Sequence, residues 1–212
     1  MEFQHVNVKL FVKNAEEVDL ASLIPVFHSW IQDQAKDELL LDVADYRHVH
    51  AGPGLVLIGH QGNYSLDNTG DRLGVRYNCK AVLEGTNQDR LVQAAQAALA
   101  ACQRLETEPS LAGMIQFNGR EIEVFINDRL LAPNRPQTRA AANSEFRTFF
   151  STLFGDIDYA VSYPQDPRSL FGVRATAFQS SDTATLLDNL QSLAQTTGPR
   201  WGSDEVTSAC RS

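Results

Sequence analysis

Leu39-Leu40-Leu41-Asp42-Val43-Ala44-Asp45-Tyr46-Arg47-His48-Val49-His50, then Ala51-Gly52-Pro53-Gly54, then Leu55-Val56-Leu57-Ile58-Gly59-His60-Gln61-Gly62-Asn63 is the stretch whose reading decides the fold. The two outer runs are rich in large apolar residues, and the four between them are turn formers. The pattern predicts two long strands, over 39–50 and 55–63, closed into a hairpin. Two residues apart on a strand share a face, so Asp42, Tyr46, His48 and His50 are expected on one side.

Upstream, Val6, Val8, Leu10 and Val12 alternate with other residues, which predicts a half-buried strand. Leu23, Ile24, Phe27, Trp30 and Ile31 recur at helical spacing, with Asp19 or Ser22 available as the cap and Pro25 in the first turn. Downstream, a third strand is expected over 74–80, after the polar loop 67–71. Thr86 with Asp89 three residues on resembles a capping box. It opens a helix whose Leu91, Ala95, Ala98, Cys102 and Leu105 line one face, with alanines small enough to let it lie close to a sheet.

The polar stretch 106–113 is the expected boundary. Beyond it, Ile122, Val124 and Ile126 alternate in a strand over 120–127. A helix follows over 138–154, with Gly155 as its C-terminal cap. Strands over 157–163 and 171–177 precede a last helix over 183–196, stopped by Gly198-Pro199. Each half therefore places a strand before a helix, then two strands and a closing helix, and the first half carries one strand more. The fold class is α+β: two similar β-α-β-β-α, ferredoxin-like halves, residues 1–107 and 114–198, forming a pseudo-duplicated sheet-and-helix sandwich with a flexible tail, 199–212. The alternative is a single α+β sandwich with one mixed sheet and its helices to one side.

Composition narrows the function. The chain has 212 residues, 43% hydrophobic and 21% charged, ordinary values for a globular protein with a sizeable core. Its net charge of -8 argues against nucleic acid as a partner, since phosphate backbones are met by basic faces; Arg129, Arg135 and Arg139 form only a diffuse basic group. The apolar runs are too short to span a bilayer, and the start lacks a secretory pattern, so no membrane partner and a cytoplasmic location are expected. Cys79, Cys102 and Cys210 are an odd number without short spacing, and suit neither a disulfide framework nor a zinc site. Cys79 and Cys102 read as buried thiols.

No nucleophile elbow, dinucleotide fingerprint or Walker loop occurs. Chemistry, if present, falls to the hairpin, which holds three of the five histidines. His48 and His50 share a face if extended, and with His60 are the candidate metal ligands, for zinc or iron. If His50 pairs with Leu55, Asp45 lies opposite His60 and can orient it as a general base; a slip of one residue brings Tyr46 there instead. His60 and Asp45 are the catalytic candidates, and Asp42, Tyr46, His48, His50 and Tyr64 the candidate ligand contacts. Gly59 and Gly62 are read as a bulge or a close backbone approach. Asn127-Asp128-Arg129 reads as a turn that satisfies its own backbone.

The motifs Ile24-Pro25-Val26-Phe27-His28-x-Trp30-Ile31, Leu41-Asp42-Val43-Ala44-Asp45-Tyr46-x-His48-Val49, Gly52-Pro53-Gly54 and Gly59-His60-x-Gly62-x-Tyr64-Ser65-Leu66-Asp67 resemble those of a group of uncharacterised bacterial proteins, cyanobacterial ones among them. The resemblance runs over residues 6–177. It implies a bacterial cytosolic origin and no mechanism. The first expectation is a non-enzymatic binding or regulatory module without a cofactor, holding a small molecule or protein in a groove beside residues 42–67. The alternatives are a metal-dependent or acid–base enzyme using the hairpin histidines, and a structural partner acting as a homodimer.

Overall fold

The computed structural model describes residues 1–33 and 38–196, with side chains to residue 192. The described residues are α+β, with one eight-stranded sheet and four α-helices. In chain order these are β1 (Val6–Val12), α1 (Leu23–Gln32), β2 (Leu40–Tyr46), β3 (Gly54–Gly59), β4 (Gly62–Asp67), β5 (Gly74–Cys79), α2 (Asn87–Glu106), β6 (Phe117–Ile126), α3 (Pro136–Phe154), β7 (Tyr159–Ser162), β8 (Phe171–Ala177) and α4 (Thr183–Thr196). The spatial order is β2-β3-β4-β5-β1-β6-β8-β7, and every neighbouring pair is antiparallel. The expected tail, the Gly198-Pro199 stop and Cys210 lie outside the described residues.

The alternation read from the sequence sets which side of each strand meets the helices. Val6, Val8 and Leu10 of β1 share a core with Val75 of β5, Ile122 and Val124 of β6 and Val173 of β8. Leu91, Ala95, Ala98 and Cys102 of α2, Phe146, Phe149 and Phe150 of α3, and Leu186 and Leu190 of α4 close that core from above. Helix α2 lies across β1 and β5 and against α4, while α1 covers β2 and β3. The two halves meet at the β1–β6 pair, where Val8 faces Val124, so one sheet runs through both.

Local chemistry fixes the helix ends. Thr86 Oγ1 accepts from the Asp89 amide, and Asp89 Oδ2 accepts from the Thr86 amide at 2.7 Å, completing the capping box. Pro136 starts α3 where no amide hydrogen is needed, and Gly155 ends it at φ +60°.

The structure corrects the hairpin in three places. Residues 55–63 are two strands, β3 and β4, turning at His60-Gln61. Gly59 and Gly62 flank the turn, and Glu38 reaches in from outside to hold it: its Oε1 accepts from the Gly62 amide at 2.7 Å. A Cβ on Gly59 would meet the Gly62 carbonyl oxygen at 2.7 Å, a close backbone approach of the kind expected at this glycine. Residues 39–50 do not form one strand either. Asp45 accepts from both the Arg47 amide and its guanidinium, which folds the chain out of β2 into a turn over residues 47–53. Register is the third correction: Asp45 faces Leu55 and Tyr46 faces Gly54, while the His60 amide bonds the Leu39 carbonyl.

A further difference lies in β1, which is buried along its whole length rather than half-buried. Asn7, Lys9 and Phe11 lie on the face that the described helices leave uncovered, and Phe11, although buried, stands apart from the main core.

Candidate ligand-binding site

The histidines do not converge. His48 and His50 sit in the exposed turn after β2, beyond the strand on which Asp42 and Tyr46 share a face. His60 is exposed at the opposite end of β3, a strand of 6 residues, on the order of 20 Å long. Asp45 is held by Arg47, whose hydrogen bonds keep its carboxyl low, at about 2. Among the described residues no group of three or more His, Cys, Asp or Glu could hold a metal ion. His28 is exposed on α1. Asp128 accepts from the Leu130 and Leu131 amides, the self-satisfied turn expected there.

Tyr64 and Tyr46, both candidate contacts, fall on opposite faces of the sheet. Tyr64 opens into a cavity of about 410 Å³ on the helix-covered side, between α1, α2 and strands β3 to β5. Its walls combine aromatic and apolar side chains, Trp30, Leu57, Tyr64, Tyr77 and Ala97, Ala100 and Ala101 of α2, with the amides of Gln61, Gln93 and Gln96. Alanine makes this space. Ala94, Ala95 and Ala98 carry the close helix–sheet contact, but toward the C-terminal end the same small side chain leaves a gap over Tyr64 and Tyr77.

Three polar features mark the cavity. The Trp30 indole nitrogen is buried with no hydrogen-bond partner, although the residue is only 3% exposed. A buried donor left unmet costs about 1–3 kcal/mol. Glu38 binds the Tyr64 hydroxyl through Oε2 at 2.7 Å while its other oxygen holds the Gly62 amide. At the rim, the Arg104 guanidinium lies 4.3 Å from the Trp30 ring centre and pairs with Asp33 at 2.8 Å.

Burial first, and then the hydrogen bond to Glu38, push the Tyr64 phenol well up. Burial does the same to Tyr77, whose ring centre lies 5.0 Å from that of Tyr64. Both phenols therefore stay protonated at neutral pH. Burial also raises the Cys79 and Cys102 thiols, so neither is a ready thiolate.

Sequence reasoning passed over most of these residues. Trp30 read as one more position in an apolar helix stripe, and Glu38, Tyr77 and Arg104 were not singled out. Only Tyr64 was named. A tryptophan carries a polar handle that needs a partner when buried, and that was the available signal. Searches against protein-family models, curated proteins and solved structures found no match to this chain.

Proposed function

We propose that the protein is a non-enzymatic binding module that holds a small molecule in the cavity bounded by Trp30, Glu38, Tyr64, Tyr77 and Ala101. The observation that carries this reading is a ligand-sized recess lined by Trp30, Tyr64 and Tyr77, beside a buried Trp30 N–H that finds no acceptor within the protein. Ligand sites are typically apolar recesses with a few well-placed polar groups, and unmet buried donors are rare enough to need a cause. The ligand this cavity fits has a flat or apolar body to lie between the tyrosines and α2, and an acceptor for the indole. The hairpin histidines, divided between its two ends, take no part.

The test is a thermal-shift and fluorescence screen of uncharged, acceptor-bearing aromatic compounds on the full chain. A Trp201→Phe background leaves Trp30 as the sole indole reporter. A hit is expected to quench or shift Trp30 emission and to lose roughly tenfold in affinity with Trp30→Phe, the worth of one hydrogen bond in a dry site. Ala101→Phe, which fills the space, is expected to abolish binding while the protein stays folded. Hits that bind Ala101→Phe as well as wild type would place the site elsewhere and end this reading.

We also read the chain as two related α+β units of the ferredoxin-like kind. In support, β1 and β6 lie side by side at the centre, each starts a strand–helix–strands–helix run, and the closing helices α2 and α4 touch. The first run carries two strands more than the second, β2 and β3 on the outer side. A homodimer is a second reading of assembly, favoured by the edge strand β2, where Leu41 is 51% exposed and Leu39, just before the strand, 61%. Size-exclusion mass at high concentration decides it.

A further inference from the structure

We infer that the helix-free face of the sheet carries a separate site, for a small carboxylate, centred on Arg76. The register brings Ser65, Arg76, Lys9, Glu123 and Arg174 side by side across β4, β5, β1, β6 and β8. Four cations and three carboxylates meet on this face, and the pairing is uneven. Lys9 holds Asp67 Oδ1 at 2.6 Å. Arg72 grips both oxygens of Glu121, at 2.6 and 2.7 Å. Arg174 binds Glu123 at 2.6 Å and Glu121 at 3.2 Å.

Arg76 is the cation left over. Its one ion-pair contact is to Asp67 Oδ2 at 3.7 Å, and that oxygen already accepts from the Thr69 hydroxyl at 2.9 Å. Its Nε is buried and has no partner. The guanidinium lies 5.1 Å from the Phe125 ring centre, which keeps water from one side of it. Every carboxylate within the network is committed elsewhere, so a forked donor is left without its natural acceptor.

A recess of about 350 Å³ adjoins it, walled by Tyr46, Asn63, Ser65, Asp67, Arg76 and Asn78 among others. Beside the charged row runs a row of amides: Asn63 faces Asn78 and Asn78 faces Asn7 in the register, and Asn63 and Asn78 line the recess. An oxyanion on Arg76 would also find the Asn63, Asn78 and Tyr46 donors around it. Charge selects among oxyanions. One uncompensated positive charge balances a monoanion, whereas a phosphate dianion would be set against Asp67 in the same recess. A free carboxylic acid and the C-terminus of a peptide present the same group, and the titrations below separate them.

The experiment is a ¹H–¹⁵N NMR titration of the full chain with sodium lactate, with an N-acetylated dipeptide, and with sodium phosphate, against sodium chloride at matched ionic strength. Saturable shifts clustered on Asn63, Ser65, Arg76 and Asn78 are expected with a carboxylate. Arg76→Gln is expected to weaken binding by about tenfold or more, as loss of a charged hydrogen bond does. Asn78→Ala keeps the cation and the network, and roughly a threefold to tenfold loss is expected there. It carries the test if Arg76→Gln does not fold. Carboxylates no more effective than chloride, phosphate binding as tightly as lactate, or unchanged affinity in the soluble variants would each overturn the assignment. Ala101→Phe, which closes the other cavity, is expected to leave the carboxylate titration unaltered, and a loss there would deny that the sites are separate.

Discussion

The two faces of this sheet are buried by opposite chemistries, and β1 shows both on one strand. Toward the helices it presents Val6, Val8 and Leu10, and on the other face Asn7, Lys9 and Phe11, with all seven residues of the strand buried. The helix side is closed by four helices and excludes water by apolar area. The open side has no second layer among the described residues, yet Lys9 and Asp67 are each 3% exposed. Arg72 stacks over Phe11 at 3.8 Å, and Arg174 and Lys9 approach the same ring, so long cationic side chains roof the strand. The comparison teaches that low exposure alone does not identify a hydrophobic core. It also locates an unmet need on each face: an indole donor on the apolar side and a guanidinium on the charged side.

The strongest way to break the comparison is to remove a large apolar group from one face. Phe149→Ala on α3, where the ring is fully buried and 5.1 Å from that of Phe150, is expected to cost about 3–5 kcal/mol, read from urea unfolding.

On the charged face the expected pattern is non-additive. Burial already holds the Lys9 ammonium below its ordinary value, more than Asp67 raises it. Asp67→Ala therefore strands a buried cation and is expected to cost about 3 kcal/mol, whereas the double change Lys9→Met with Asp67→Leu is expected to come within about 1 kcal/mol of wild type. A double-mutant cycle by chemical denaturation checks this. If the double variant is as unstable as the single, the ion pair is not the organising feature of that face.

The smallest effect is in pH. The hydrogen bonds from Arg72 hold Glu121 below the usual 4.5. The folded state therefore binds fewer protons than the unfolded one, and the contribution is complete above 4.5 and lost as pH falls through the lower folded value. Arg72 is more than a third exposed, so solvent screening reduces the effect to about 1 kcal/mol. Glu121→Gln is expected to flatten the acid limb of stability against pH by that amount, measured between about pH 5 and pH 2.

Much of the layout was legible in the residues. The boundaries of β8 and α4, the capping box at Thr86 and the inward phenylalanines of α3 all follow from period-two or helical spacing with a local cap, which neighbours within a turn are enough to specify. The break at His60-Gln61 was not legible, because the group that stabilises it, Glu38, lies more than twenty positions upstream. The candidate site was less legible still. Tyr64 was named, but Trp30, Glu38, Tyr77 and Arg104 come from four elements or links, and nothing local says that they share a wall.

What the sequence by itself determined is therefore the helices, the strands other than the β3–β4 pair it joined into one, and the apolar side of most of them, since these depend on side chains a few residues apart. Only the tertiary structure decided the antiparallel order, the register that parts His60 from Asp45, and the burial of Lys9 and Asp67 across β1, β5 and β4. The physical reason is range. Periodicity and capping are settled within one turn or strand, whereas an unmet donor or a leftover cation exists only once distant strands have used up its possible partners.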